Sequence, residues 1–219
     1  MEQLICLLRH GAIDRSPPRR FLGQTDLALN DHGIRQARGL GEQLRSIPFR
    51  HVCCSPLQRA VQTAALVSGR DPAAIEPLGA LKEINLGAWE GLTVAEVCAR
   101  FPGAYEQRGL DLENFRPPGG ESFGDLANRC LPALFALAEK APGPVLIVAH
   151  AGVNRVLLSR LLHRPLQRLL EIPQHYGAVN LLVRTAGELR LEACNLHPGC
   201  GDSLESQINT LCSPEVNRL

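Results

Sequence analysis

Leu4-Ile5-Cys6-Leu7-Leu8-Arg9-His10-Gly11 opens with five unbroken apolar residues and runs straight into Arg-His-Gly. An apolar run of that length suits a strand buried on both faces, as strands of parallel sheets are. A cationic pair at its end puts chemistry at the strand's carboxyl edge, where open parallel sheets bind ligands. The pattern recurs twice. His51-Val52-Cys53-Cys54 leads into Ser55-Pro56-Leu57-Gln58-Arg59-Ala60, and the apolar residues 144–149 lead into His150-Ala151-Gly152. Three strand ends thus present two His and two Arg, an inventory suited to an anion. Taken singly, each has a plainer reading: a His after a strand can be a hydrogen-bonded structural residue, Arg59 a solvated helix arginine, and Gly11 and Gly152 mere turns. Repetition at three separate strand ends favours a site.

The segments between these strands follow a helical period. Ile34, Ala37, Leu40 and Leu44 share one face, with Asn30 or Asp31 as the cap. A second helix is predicted over 56–67, with Pro56 in the tolerated first turn, and a third over 153–162. Residues 178–183 and 188–194 read as a closing strand pair turned at Ala186-Gly187. The middle, residues 83–118, is rich in Gly and Pro and less regular. A helix resumes at Ser122, whose spacing to Asp125 resembles a capping box, and runs to about Lys140, with Pro132 expected to kink or split it. Strand and helix in alternation make an α/β sandwich.

The chain's 219 residues suffice for one domain with an appendage. Its 45% hydrophobic and 21% charged content excludes long disorder. With 23 basic against 22 acidic side chains, the net basic surface that nucleic-acid or acidic-membrane binding needs is missing. All the basic residues except Lys82 and Lys140 are Arg, for which codon bias is the plain explanation. No apolar stretch reaches a membrane span, and Arg9-His10 comes too early for a signal peptide. The eight cysteines form no CxxC pair and mostly sit in apolar runs, as small reduced hydrophobes do. The expected compartment is the cytoplasm.

The strand-end motifs belong to a longer ordered set: Arg20-Phe21-x-Gly23-x-x-Asp26, Asn30-x-x-Gly33-x-x-Gln36-Ala37, Ser55-Pro56-Leu57-x-Arg59-Ala60-x-x-Thr63-Ala64, Glu83-Ile84-Asn85-Leu86-Gly87-x-Trp89-Glu90-Gly91, Pro118-Gly119-Gly120-Glu121-Ser122 and Val148-x-His150-x-Gly152-x-x-Arg155. Together with Arg9-His10-Gly11, it resembles the histidine phosphatase superfamily of phosphoglycerate mutase-like enzymes. That resemblance implies a three-layer α/β/α sandwich around a mostly parallel central sheet, in a catalytic domain of residues 1–196. It implies His10 as the nucleophile, kept neutral by neighbouring Arg charges. Arg9 and Arg59 would fork onto the phosphoryl oxygens, and His150 would hold those oxygens in the transition state. Glu83 would act as acid and then base. Gly23, Gln24 and Ala151 would line the substrate. Ser16, where many relatives carry Asn, would donate one hydrogen bond of shorter reach. Two Arg and a second His supply the positive charge, so neither metal nor cofactor is required, and the partner is a small-molecule phosphate ester.

Hydrolysis is favoured over a mutase because Glu83 is followed by Ile84, Asn85, Leu86 and Gly87 rather than by cations for a substrate carboxylate. Residues 83–91, 115–122 and 172–177 are most similar to the α-ribazole phosphatase branch, which implies α-ribazole 5′-phosphate as substrate. Broad-specificity sugar-phosphate or nucleotide phosphatases share much of this pattern. Two further classes remain: a phosphate-binding regulator, which would have no use for Glu83, and a His/Glu metallohydrolase, in which Arg9 and Arg59 would repel the ion. Trp89 reads as a core aromatic. The tail, residues 197–219, reads as a linker and a short helix with Leu204, Ile208, Leu211 and Cys212 on one face. It is expected to dock on the catalytic body, with a homodimer contact as the alternative.

Overall fold

A computed structural model describes residues 2–15, 17–141 and 143–197. Its centre is a six-stranded sheet in the order β3-β2-β4-β1-β5-β6, from β1 (Gln3–Arg9), β2 (His51–Cys54), β3 (Glu76–Pro77), β4 (Val145–Ala149), β5 (Val179–Thr185) and β6 (Glu188–Leu196). Strands β1 to β4 are mutually parallel, while β5 runs antiparallel to β1 and β6 antiparallel to β5. The last hairpin turns at Ala186-Gly187, both at positive φ, the conformation a two-residue hairpin turn demands. The sheet is therefore mostly parallel with an antiparallel edge.

The unbroken apolar run of β1 is explained by what covers it. Cys6 and Leu8 face a core with Ala37, Leu40 and Leu44 of α1 (Asp31–Leu44) and Ala60, Ala64 and Val67 of α2 (Gln58–Ser68). Ile5 and Leu7 face the opposite core, with Leu126, Cys130 and Leu134 of α5 (Phe123–Lys140) and Val153, Val156 and Leu157 of α6 (Ala151–Leu161). Helices on both faces make the three layers. Asn30 caps α1 by accepting from Gly33 N–H at 2.8 Å.

Three local expectations are corrected. Helix α5 is not split at Pro132: the proline and Asn128, whose carbonyl it leaves unpaired, lie on the exposed side while Leu126, Cys130, Leu134 and Ala138 hold the buried stripe. Helix α2 begins at Gln58 rather than at Pro56. The irregular middle contains α3 (Val94–Arg100) and α4 (Ala104–Leu110), the first opened by a reciprocal capping box of Thr93 and Glu96. Trp89 is fully buried between Phe21 and Phe115, as a core aromatic. The tail helix lies outside the described residues, and so does Ser16. No helix among the described residues is long and apolar enough to cross a membrane.

The loop after β1 is locked onto the start of α1. A Cβ on Gly33 would run into the Ala12 carbonyl, and one on Gly11 would stand 2.7 Å from the Gly33 carbonyl. Both obstacles are backbone and cannot swing aside. Gly33→Ala is expected to cost about 1–3 kcal/mol, the scale of an overpacked site. A urea melt checks this; an unchanged midpoint would mean that the two segments can part without loss.

Candidate active site

The parallel register sets the carboxyl ends of β1, β2 and β4 side by side, with Arg9 opposite Ala149 and Cys54 opposite Val148. His10, Arg59 and His150 therefore converge although they are far apart in sequence. His10 is 3% exposed, and its N–H donates to Ala149 O at 3.0 Å. Its Nδ1 lies 2.7 Å from Gly11 O. A carbonyl only accepts, so the proton of a neutral ring sits on Nδ1 and the lone pair is on Nε2. Burial, then the charges of Arg9 and Arg59, hold the His10 pKa well below the ordinary imidazole value. The ring is thus kept neutral, with its lone pair on Nε2.

His150 caps α6, with its ring centroid 5.1 Å from that of His10. It is fully buried, and neither ring nitrogen has a hydrogen-bond partner among the described residues. Burial first and His10 second push its pKa well down. Both imidazoles are neutral in the folded chain, whereas in the unfolded chain they titrate near pH 6.5. Below that pH the unfolded state binds more protons, so stability falls as the pH drops from about 6.5 to about 5. The urea midpoint should show this fall, and a double variant, His10→Ala with His150→Ala, should show less of it. Identical pH profiles would mean that the folded rings take up protons freely.

The two arginines are fixed by backbone. Arg59, 1% exposed, donates from Nη1 to Thr25 O at 2.7 Å and from Nη2 to Gly23 O at 3.1 Å. Arg9 donates from Nη1 to Gln174 O at 2.6 Å and lies 3.9 Å over the Tyr176 ring. Burial lowers the Arg9 pKa to about 10, which leaves it charged at neutral pH. Thr63 ties the two loops together, accepting from Gly11 N–H at 3.0 Å and donating to Arg59 O at 2.7 Å.

Glu83 reaches the cradle from the irregular middle. Its side chain accepts from Gly152 N–H at 3.1 Å, in the first turn of α6. A Cβ on Gly152 would overlap Glu83 Oε1, so the glycine is the space the acid occupies. Arg129, bonded to Glu121, donates to the carbonyls of Ala80, Lys82 and Glu83 and holds the segment from behind. These groups open into a cleft of about 440 Å³.

Most of the residues expected from sequence meet there: Arg9, His10, Gly23, Arg59, Glu83 and Ala151 line the cleft, with His150 buried beside His10. Gln24 does not line it. Its N–H donates to Glu90 at 2.8 Å and its side-chain amide to Glu83 O at 3.0 Å, so it braces the acid's backbone. Glu90, quoted only as part of a motif, also accepts from Thr25 Oγ1 and Leu86 N–H and staples the Gly23 loop to the Glu83 segment. Tyr176, Arg15, Arg108 and Arg155 line the cleft as well. Cations thus reach it from elements far from Glu83, and the uncharged run after that residue does not leave the cleft short of them.

The sequence profile of the histidine phosphatase superfamily (branch 1) matches residues 5–197. The chain belongs to that superfamily. Glucosyl-3-phosphoglycerate phosphatase of Mycolicibacterium vanbaalenii is 34% identical over 169 residues, 74% of this chain and 75% of that protein. A solved mycobacterial glucosyl-3-phosphoglycerate phosphatase superposes with a TM-score of 0.78 at 29% identity, covering 89% of this chain and 99% of that one. The α-ribazole phosphatase of Shigella flexneri superposes at 0.81 with 26% identity, covering 89% and 96%. As a histidine phosphatase with phosphatase relatives, the chain is a phosphoric monoester hydrolase.

Proposed function

We propose that this phosphatase hydrolyses small-molecule phosphomonoesters in two steps through a phosphohistidine at His10. The observation that carries the reading is a buried His10, neutral with its Nε2 lone pair free, between two backbone-anchored guanidinium groups. Nε2 attacks phosphorus, the P–O ester bond breaks, and Glu83 gives a proton to the leaving alkoxide. Water then attacks the phosphoryl group, losing its proton to Glu83, and the N–P bond breaks to return neutral His10. Arg9, Arg59 and His150 hold the phosphoryl oxygens as charge redistributes. Gly23 and Ala151 border the leaving group, and Gln24 acts through the Glu83 backbone. Arg9 and Arg59 supply the positive charge that a metal ion would supply. Among the described residues no cluster of three His, Cys, Asp or Glu side chains is placed to hold one.

For the leaving group, the superposition on α-ribazole phosphatase supports α-ribazole 5′-phosphate. The arginine-rich lining and the relatives named for glucosyl-3-phosphoglycerate favour a sugar-phosphate or phosphoglycerate substrate.

The test is orthophosphate release from an aryl phosphate, α-ribazole 5′-phosphate, sugar phosphates and 3-phosphoglycerate in excess EDTA. Turnover should persist in the chelator, and vanadate should inhibit competitively, because a five-coordinate oxyanion mimics the transferring group. A mycobacterial relative has been solved in complex with VO3, which supports that choice of inhibitor. A requirement for added Mg²⁺ would overturn the metal-free route, and 2-phosphoglycerate in place of orthophosphate would overturn hydrolysis.

A further inference from the structure

Seven arginines line the cleft against one acid, Glu83. Arg20 is occupied, paired with Glu96 at 2.9 Å and bonded to Gly91 O. Arg9 and Arg59 stand beside His10 and are accounted for by the transferring phosphoryl group. Arg15, Arg19, Arg108 and Arg155 are not, and none of them forms an ion pair among the described residues; of these, Arg19 is exposed and stacks on no ring of the cleft. Arg155 is half-buried on α6 and spends only Nε, on Ile172 O at 2.9 Å. Arg108 is half-buried on α4, with its guanidinium 5.4 Å from the Phe123 ring centroid. Arg15 lies 5.9 Å over the same Tyr176 ring that Arg9 covers.

Burial is the largest influence on Arg108 and Arg155 and lowers the pKa of both; the charge of Glu83 offsets part of this at Arg155, and neither arginine has an ion-pair partner among the described residues. Arg15 and Arg155 also act on Arg9 as like charges. A half-buried cation with no partner is costly, and a fork of planar donors is shaped for a carboxylate or phosphate. A phosphoryl dianion on Arg9 and Arg59 leaves this second group of cations uncompensated, and so does an uncharged leaving group.

We infer that Arg15, Arg108 and Arg155 form a second anion site in the cleft, which selects phosphomonoesters whose leaving group itself carries a carboxylate or another phosphate. The inference rests on the phosphatase reading above and adds to it the class of leaving group. The second anion makes similar contacts in the ground and transition states, so its effect falls mainly on KM. Because Arg15 is exposed, the preference should shrink as salt is added.

Two matched pairs test it. 3-Phosphoglycerate differs from glycerol 3-phosphate by a carboxylate in place of a hydroxymethyl group, and fructose 1,6-bisphosphate differs from fructose 6-phosphate by one phosphate. The anionic member of at least one pair should be preferred by roughly tenfold or more in kcat/KM, the scale of a charge-assisted contact. Which pair responds identifies the anion. In Arg108→Gln with Arg155→Gln, that ratio should fall to within about threefold of unity. If that protein does not fold, Arg15→Gln, at an exposed position, should still lower the ratio. Equal kcat/KM within both pairs, in protein that turns over an aryl phosphate, overturns the second site. A preference that survives these substitutions overturns the residue assignment. No turnover of any phosphomonoester, the aryl phosphate included, overturns the phosphatase reading itself.

Discussion

His10→Ala should lower kcat on every phosphomonoester by on the order of 10⁴-fold or more, the scale of losing a covalent nucleophile. No other group can replace it. His150 is nearest, with its ring centroid 5.1 Å away, but it is fully buried and its proposed place is on the phosphoryl oxygens, not in line for attack on phosphorus. The fold should survive, because the sheet register around β1 is set by backbone bonds and by Ile5, Cys6, Leu7 and Leu8 rather than by the imidazole. Steady-state kinetics beside a circular-dichroism melt separates the two effects. An intact variant that retained more than a tenth of wild-type kcat would remove His10 from the nucleophile's role.

Glu83→Gln should show a different signature. Its loss should follow the leaving group: about 10²–10⁴-fold in kcat on alkyl phosphates, whose alkoxide needs a proton, and far less on aryl phosphates. Gly152→Ala should reproduce that selectivity without touching the acid itself, because the added methyl would occupy the place of Glu83 Oε1. If both substrate types lost activity equally in Glu83→Gln, the residue would be holding the segment rather than moving a proton.

The parts of this protein written in short segments could be read directly. The apolar run of β1 declares a doubly covered strand, and each strand-end motif declares its own place, so His10, Arg59 and His150 follow from three local patterns and one topological rule. Asn30 and Ser122 announce the helices they cap. What escaped depends on distance or on exposure. The helix continues past Pro132 because the proline lies on the exposed side, a placement that only the apolar stripe of the whole helix assigns. Gln24 was placed beside its neighbour Gly23, but its side chain answers to Glu83, 59 residues away. Arg15, Arg108 and Arg155 reach one cleft from a loop, the short α4 and α6, and arginines are too abundant here for any one to stand out. Helix α3 left a legible sign in the Thr93–Glu96 capping box, whereas the seven residues of α4 left none.

The proposed route turns on one species, a phosphoryl group bonded to nitrogen. Mixing the enzyme with excess aryl phosphate, quenching in alkali within milliseconds and mapping the peptides by mass spectrometry tests for it most directly. Alkali preserves phosphohistidine and keeps the mark in place. The expected result is one phosphoryl group on the peptide containing His10, formed no more slowly than phosphate is released and absent from His10→Ala. Full turnover with unmodified His10 at every quench time, or the mark on another residue, would contradict the phosphohistidine route.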